Sequence, residues 1–195
     1  MAFEFKECGI KGLFEIIPKV YGDGRGFFFE SYSQKDFAAA GIEERFVQDN
    51  QSSSAKGVLR GLHFQKRHPQ AKIIRVLKGK VFDVAVDLRE NSPTFGKWHG
   101  LVLDSERQNQ FYIPRGFAHG FFVLSDEAIS SYKCSDFYYP EDECGLIWND
   151  PALGIDWLGV ANGAEPLLSE KDKKHPSFDP QKKYFNFDAS AWLGD

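Results

Sequence analysis

Residues 57–79 read GVLRGLHFQKRHPQAKIIRVLKG, which is two short apolar runs joined by a polar turn. The pair His68-Pro69 in this turn disfavours a helix, because a residue that precedes proline avoids the helical region. Gly57 and Gly79 stand at the two ends, as is typical of the glycines that bound strands. The stretch therefore predicts two β-strands that pair as a hairpin.

This hairpin carries two candidate functional residues, His63 and Lys72. Alternate side chains of a strand share a face, so His63 and Gln65 point one way. If the polar ends meet inside a barrel, a lysine cation beside His63 disfavours a second positive charge and keeps the imidazole neutral, as a base requires. A surface hairpin with scattered charges is the alternative interpretation. The additional presence of Arg60 favours a site.

The composition is that of an ordinary soluble domain. The chain has 195 residues, of which 42% are hydrophobic and 27% charged, a length that fits one domain. Nineteen phenylalanines favour β structure, because aromatic rings suit pleated, half-buried surfaces. The net charge of -4 argues against a nucleic-acid partner, which normally requires a basic surface.

The compartment is predicted from what the sequence lacks. The start, MAFEFKEC, has no apolar core flanked by basic residues, so no secretory signal is expected. No apolar run approaches the ~18 residues of a membrane span. The three cysteines, Cys8, Cys134 and Cys144, contain no CxxC pair and fit neither a disulfide framework nor a zinc cluster. We expect a cytoplasmic protein with no membrane partner.

Short strand-like segments recur along the chain with turn signals between them. We expect edge strands within 3–20, a glycine-rich loop at 21–26, and a strand that runs into a polar loop across 46–54. Ser33 and Gly41 are suitable first and last caps for a helix between them. Regular apolar alternation at 81–89 predicts a half-buried strand. Further strands are predicted at 98–103, 110–113, 121–124 and 129–135.

Many short strands without strand–helix alternation predict an all-β sandwich or barrel. We expect one domain over residues 1–195, with a barrel core at about 45–137. The N-terminal strands and an aromatic-rich C-terminal segment, a loop with a short helix, are expected to pack on that barrel.

Two polar clusters are candidates for ligand binding on residue type alone. Phe28 and Glu30 share a strand face, where a ring could stack on a base and a carboxylate could accept its N–H. Core aromatics beside a solvated carboxylate are an equal alternative. Gln48, Asp49 and Asn50 offer many donors and acceptors for a polar heterocycle, although such clusters are more often ordinary turns.

Two short motifs resemble those of the cupin superfamily, which are small jelly-roll barrels (double-stranded β-helices). They are Gly57-x5-His63 and Pro114-x-Gly116-x2-His119. Many cupins hold a metal at positions that here read His63, Gln65, Lys72 and His119. A protonated lysine has no lone pair and repels a divalent cation, so we expect no metal site there.

The chain as a whole resembles one branch of that superfamily, the dTDP-4-dehydrorhamnose 3,5-epimerases. The resemblance extends from about residue 3 to residue 172. It is carried by long ungapped stretches: DGRGFFFE at 23–30, FVQDN at 46–50, GVLRGLHFQ at 57–65, KGKVFDVAVDLR at 78–89, IPRGFAHGF at 113–121, WNDPALGIDW at 148–157 and LSEKD at 168–172.

The resemblance implies an isomerase that acts on a dTDP-linked 4-keto-6-deoxyhexose without a cofactor, in the biosynthesis of rhamnose for surface polysaccharide. His63 matches the family's base, Lys72 the cation near the keto oxygen, and Tyr132 the acid on the opposite face. The partner that orients His63 matches Asp172, while the neighbouring strand offers Asp83 as a competitor.

The resemblance also implies a set of substrate-binding residues and a homodimer with exchanged N-terminal strands. Arg60 and His63 have opposite strand parity, so both reach one pocket only if Gly61 permits a bulge or Arg60 acts from the rim. Arg25 and Glu30 are expected to complete the neighbouring subunit's pocket. The implied binding set is Arg25, Phe28, Glu30, Gln48, Asp49, Asn50, Arg60, His119, Tyr138 (stacking on thymine), Glu143 and Lys171.

Other functions remain open from the sequence. Relatives with this fold invert one carbon only or isomerise the ketone. A metal-dependent cupin oxygenase is a different class, and Gln65 and Lys72 argue against it. A non-catalytic sugar-binding cupin would leave the combination of His63, Lys72 and Tyr132 without an explanation.

Overall fold

The computed structural model describes residues 2–185. Within them, thirteen strands and two short α-helices follow one another along the chain. They are β1 (Phe3–Glu7), β2 (Phe14–Pro18), β3 (Tyr21–Asp23), β4 (Gly26–Phe28), α1 (Gln34–Ala39), β5 (Gln48–Ala55), β6 (Leu59–Gln65), β7 (Lys72–Lys78), β8 (Lys80–Asp87), β9 (Trp98–Asp104), β10 (Gln110–Ile113), β11 (Phe117–Val123), β12 (Glu127–Cys134), β13 (Glu143–Gly145) and α2 (Trp157–Val160), with 3-10 turns at Pro140–Asp142 and Asp172–Lys174.

Two antiparallel sheets pack face to face as a jelly-roll barrel. One sheet has the order β1-β2-β10-β7-β12-β5 and the other β13-β6-β11-β8-β9, while β3 and β4 form a separate ribbon. The predicted all-β cupin jelly roll is thereby confirmed. No helix within residues 2–185 is both long enough and apolar enough to cross a membrane.

The predicted hairpin between β6 and β7 is wrong. These strands belong to opposite sheets, so the intervening loop crosses from one wall of the barrel to the other. A carboxylate from elsewhere holds this loop. Asp142 accepts hydrogen bonds from the backbone N–H groups of Arg67, at 2.9 Å, and His68, at 2.8 Å. A local sequence pattern cannot distinguish a tight turn from a crossing loop held by distant residues.

Strand β8 was expected to be half-buried but is buried on both faces. Val81 and Ala85 point into the barrel, whereas Phe82 and Val84 point outward beneath the C-terminal segment. That segment adds a second apolar cluster on the outside of the sheet, which includes Leu146, Leu153, Trp157, Tyr184 and Phe185. The predicted alternation is present in β8, but residues far along the chain bury the second face of this strand.

Three other local predictions have clear outcomes. The helix is confirmed, because α1 follows Ser33, whose hydroxyl accepts from the N–H of Asp36. The polar loop expected within 46–54 is instead strand β5, which pairs with β12 along its whole length. The glycine-rich loop at 21–26 is the tip and arms of the β3–β4 ribbon.

The N-terminal edge strands are confirmed as elements, but β1 and β2 pair within this chain. Strand β2 joins β10 of the chain's own sheet, and β1 joins β2. The expected exchange of N-terminal strands between subunits stays a prediction.

A bulge at Gly61 sets the direction of the side chains on β6. Along β11, His119 is opposite His63 and Phe121 is opposite Arg60, so three steps on β6 match two steps on β11. The φ angle of Gly61 is 129°, and a Cβ there would lie 2.5 Å from the Cα of Gly120. Only a glycine allows the two backbones to approach this closely.

We expect Gly61→Ala to destabilise the protein more than Gly41→Ala, and to reduce activity as well. Gly41 also has a positive φ, but a Cβ there meets nothing within 4 Å, so its substitution isolates the conformational cost of about 1–2 kcal/mol. At Gly61 the backbone clash adds about 1–3 kcal/mol of overpacking. Urea titrations of both variants measure the difference, and equal midpoints would contradict the close-packed bulge.

Candidate active site

A cavity of about 230 Å³ lies between the two sheets at one end of the barrel. Both walls contribute polar side chains, and a few apolar residues line the remainder. Its lining consists of Gln48, Asn50, His63, Phe64, Gln65, Pro69, Gln70, Lys72, Ile113, Phe117, His119, Tyr132, Tyr138 and Glu143.

His63 on β6 is held from behind by a carboxylate of the C-terminal segment. Its Nε2 lies 2.5 Å from Oδ1 of Asp172, in the turn Asp172–Lys174. Because a carboxylate can only accept, Nε2 carries the hydrogen, and in the neutral form of the ring Nδ1 then keeps its lone pair. Nδ1 is the nitrogen nearer to Glu143, whose Oε1 lies 3.9 Å away at the cavity wall.

The competing carboxylate, Asp83, has a different partner. Its Oδ1 lies 2.8 Å from Nε2 of His119, the histidine beside His63 on β11. The two histidines that face the cavity are therefore hydrogen-bonded to different carboxylates. The geometry pairs His63 with Asp172 and not with Asp83.

Asp172 is buried yet ionised. Burial raises the pKa of this carboxyl, but the hydrogen bond from His63 and the favourable charge interaction with it outweigh that effect, so the pKa lies below the ordinary 3.8. The hydroxyl of Ser169 also donates to Oδ2 at 2.9 Å and accepts from the N–H of Asp172 at 3.1 Å. The carboxylate is thus both fixed and negatively charged at neutral pH.

Lys72 and Tyr132 stand on the opposite wall, on the adjacent strands β7 and β12. The register puts Tyr132 beside Ile74, two residues along β7 from Lys72. The ammonium of Lys72 lies 6.0 Å from the centre of the Tyr132 ring. Burial raises the pKa of the Tyr132 phenol above its ordinary 10.0, so this group is a proton donor at neutral pH.

The rim of the cavity is a small network around Glu143. Its Oε2 accepts from the phenol of Tyr138 at 2.6 Å and from the ammonium of Lys171 at 2.5 Å. The hydrogen bond to Glu143 raises the pKa of Tyr138 to about 12. The ring of Tyr138 remains half exposed at the mouth, where it offers an apolar face to a ligand.

The polar residues of β5 point alternately to the two faces of the sheet. Gln48 and Asn50 face the cavity and are joined by a 3.0 Å hydrogen bond between their side chains. Asp49 points to the other face, where it pairs with Lys133 at 3.1 Å and lines a smaller depression. The structure therefore does not bring Asp49 into this cavity, because neighbours on a strand alternate.

Arg60 lies at the rim and not among the lining residues. Its guanidinium donates to the hydroxyl of Ser54 at 3.2 Å. Its positive charge opposes, without cancelling, the rise that burial causes in the pKa of Tyr132. The Gly61 bulge, one of the two alternatives that strand parity leaves open, is present, so Arg60 and His63 share a face of β6.

Three further predicted binding residues, besides Asp49 and Arg60, do not line this cavity. Arg25 and Phe28 lie on the β3–β4 ribbon, and Glu30 follows it, all with exposed side chains. Arg25 pairs with Asp23 beside it, through NH2 and Oδ2 2.5 Å apart. Within one chain, these residues do not join the site that holds His63.

The cupin metal position does not carry a suitable set of donors. The amide of Gln65 is engaged at both ends: its nitrogen donates to the carbonyls of His68, at 2.8 Å, and Phe137, at 3.0 Å. Its oxygen accepts from the N–H of Tyr139 at 2.7 Å. With Gln65 serving as a structural tie and Lys72 a cation, these residues do not fit a divalent metal.

Sequence analysis did not identify two neighbours of the His63–Asp172 pair. Ser169 precedes Asp172 by three residues, and that S-x-x-D spacing is a known signal of reciprocal capping. His175 packs its ring edge-on against His63, with centroids 5.5 Å apart. Burial and the nearby His63 lower the pKa of His175 below 6.5. No local pattern around His175 indicates that position.

Comparison with known proteins identifies the family of this chain. The family model for dTDP-4-dehydrorhamnose 3,5-epimerase matches residues 7–180. The epimerase of that name from Pseudomonas aeruginosa is 57% identical over 168 residues, which is 85% of this chain and 90% of its own length. The one from Methanothermobacter thermautotrophicus is 51% identical over 172 residues, 88% of this chain and 92% of its own.

A solved structure extends the likeness to three dimensions. The 3,5-epimerase from Legionella pneumophila, crystallised in complex with dTDP-4-keto-L-rhamnose, is 50% identical with a TM-score of 0.86. The match covers 90% of this chain and 92% of that one. This chain belongs to the dTDP-4-dehydrorhamnose 3,5-epimerase family.

Proposed function

We propose that the protein inverts C3 and C5 of dTDP-4-dehydro-6-deoxy-D-glucose to give dTDP-4-dehydro-L-rhamnose. One observation carries the proposal. An imidazole oriented by Asp172 and a phenol face one cavity from opposite walls, with the ammonium of Lys72 6.0 Å from the centre of the phenol ring. Inversion at carbon needs such an arrangement, in which a proton leaves one face and another arrives at the opposite face.

The C4 ketone makes the reaction possible without a cofactor. It acidifies the C–H bonds at C3 and C5, since loss of either proton gives an enolate. Nδ1 of His63 is the base, and Asp172 on the other nitrogen fixes the tautomer and stabilises the imidazolium that forms. No electrons are gained or lost overall, because each proton removed is replaced by another.

Lys72 and Tyr132 complete the proton transfer. Lys72 forms no ion pair with a carboxylate among residues 2–185, so its ammonium is available to the enolate oxygen. Tyr132 then donates its proton to carbon from the wall opposite His63. Solvent restores both groups before the second carbon reacts, so solvent hydrogen enters the product.

The remaining cavity residues are proposed to bind the nucleotide sugar. Tyr138 offers its exposed face to thymine, and Arg60 at the rim suits a diphosphate, because a guanidinium binds oxygens in pairs. Polar groups that orient the sugar and base are Gln48, Asn50, His119, Glu143 and Lys171.

A mono-epimerase or ketoisomerase on a related 4-keto sugar is the main alternative function. An enzyme that inverts one carbon needs the same base, cation and acid as one that inverts two. The carbon at which solvent deuterium appears therefore distinguishes these functions. A non-catalytic sugar-binding cupin is less consistent with a buried, charged Asp172 behind His63, since binding alone does not need that dyad.

We expect deuterium at both C3 and C5 when the protein converts dTDP-4-keto-6-deoxyglucose in D₂O. His63→Ala should incorporate none, and Tyr132→Phe should lose about 10²–10⁴-fold in product formation. Proton NMR of the sugar measures both. Label at one carbon only would assign a mono-epimerase, and no label in the wild-type protein would refute proton abstraction.

We expect Asp172→Asn to lower kcat by about 10²–10⁴-fold, because the amide neither fixes the tautomer of His63 nor stabilises the imidazolium. Asp83→Asn is the matched control, since it alters the partner of His119 and leaves His63 untouched. Its effect should be smaller and fall mainly on KM. Steady-state kinetics of both variants measure this, and the reverse order would assign the orienting role to Asp83.

We propose a homodimer in which the β3–β4 ribbon completes the partner's cavity. The ribbon exposes 63% of Phe27 and 69% of Phe28, and the side chain of Arg25 is 91% exposed. Large exposed apolar side chains beside a cation are typical of a surface that binds another molecule, because their exposure to water is unfavourable. Arg25, Phe28 and Glu30 would then contact the nucleotide bound to the partner subunit. Asp49 and the depression that it lines lie on the outer face of the six-stranded sheet that contains β5.

Mixing two inactive variants tests this exchange. Arg25→Ala lacks the ribbon cation and His63→Ala lacks the base, so a mixed dimer contains one intact site if Arg25 acts in trans. Random reassociation should restore about a quarter of wild-type activity, because half of the dimers are mixed and each has one such site. No restoration, with mixed dimers demonstrated by affinity tagging, would place Arg25 and His63 in the same subunit's site.

We further propose a cytoplasmic location. Cys8, Cys134 and Cys144 are free thiols, which suits a reducing compartment. Nucleotide-linked sugars are the substrate class that the site supports.

A further inference from the structure

His175 occupies a prepared niche behind the proposed base. Its ring covers Gly145, where a Cβ would lie only 2.5 Å from two of the ring atoms. Its side chain is 10% exposed and meets the His63 ring at an interplanar angle of 73°. The glycine on β13 and the C-terminal segment together hold this imidazole in one place.

The Nε2 atom of His175 is buried and has no hydrogen-bond partner among the described residues. Buried polar atoms without a partner are rare, and each calls for an explanation. This nitrogen lies 3.6 Å from Oδ1 of Asp172, the same oxygen that accepts from Nε2 of His63. The unsatisfied nitrogen is therefore directed at the carboxylate of the dyad.

Together these three residues present a set of metal ligands. One nitrogen of each histidine and one oxygen of Asp172 all lie within 4.8 Å of one another. Two imidazoles and a carboxylate, with water in the fourth position, are a common zinc set with bond lengths of about 2.0–2.2 Å. Ligand atoms of a tetrahedral zinc stand about 3.3 Å apart on those bond lengths, close to the 3.6 Å between His175 and Asp172.

We propose that His63, Asp172 and His175 form an inhibitory binding site for Zn²⁺. The site is distinct from the cupin metal position, since it lies behind His63 and uses neither Gln65 nor Lys72. Binding of the cation requires that the 2.5 Å contact between His63 and Asp172 opens as the metal replaces the hydrogen on Nε2.

Occupancy of this site removes the base without filling the substrate cavity. A metal on Nε2 of His63 takes the lone pair there, so the hydrogen of the neutral ring moves to Nδ1. Nδ1 then has no lone pair to accept a proton from the sugar. Zinc should lower kcat and leave KM largely unchanged. This inhibitory consequence rests on the proposed function, whereas the binding itself does not.

Binding is tested on the full-length protein without substrate. Calorimetry with ZnCl₂ should give one site per chain, and Co²⁺ as a probe should give the visible absorption of a four-coordinate ion. His175→Phe fills the niche without the nitrogen and should weaken Zn²⁺ binding at least about 10-fold. His99→Phe is the matched control, a half-buried histidine on β9, and should bind as the wild type does.

His175→Asn provides a second test if the phenylalanine variant does not fold, as judged by circular dichroism. Equal zinc affinity in the wild-type protein and either folded His175 variant would overturn the proposal, as would absence of binding in the wild type. If the protein binds zinc but shows no epimerase activity when it is free of zinc, the proposed function alone is refuted. Activity that is insensitive to zinc, in a protein that binds none, would refute this site alone.

Discussion

The hydrogen bond between His63 and Asp172 is the contact on which the site depends. It joins two residues 109 positions apart, one on the barrel and one on the C-terminal segment. That segment is held by a bridge from Leu167 to residues 57–59 and by apolar packing on the outer face of the barrel sheet. Burial of apolar surface thus positions the carboxylate, and the folding of the tail is inseparable from the orientation of the base.

The barrel supplies the second condition, which is two facing walls. His63 stands on one sheet, and Lys72 and Tyr132 stand on the other. The loop between β6 and β7 makes this possible because it crosses the barrel, where a hairpin would have placed His63 and Lys72 on one wall. His63 and His119 are directly opposite each other on β6 and β11, so both side chains point to the same face of the sheet. Opposed walls are the geometric requirement for inversion at carbon.

Sequence analysis identified the fold class, the helix and most strands, because these depend on local periodicity and capping. It failed where a distant partner decides the outcome. The 46–54 segment is polar, yet β12 gives it a strand ladder along β5. Strand β8 alternates as a half-buried strand should, yet the tail covers its second face.

For the site, the motifs around His63, Lys72, Tyr132 and Asp172 marked residues that the fold places around one cavity. Asp49 lies on the opposite face of β5 from Gln48 and Asn50, because neighbours on a strand point to opposite faces.

By itself, the sequence determined the strand-rich architecture and the family, because these depend on residue type and short-range spacing. Only the tertiary structure decided that Asp172 and not Asp83 faces His63, and that His175 stands behind them with an unpartnered nitrogen. The physical reason is that such contacts form between distant segments, as with His63 and Asp172, which are 109 positions apart. Their geometry follows from how whole sheets and the tail pack together, and no local pattern encodes it.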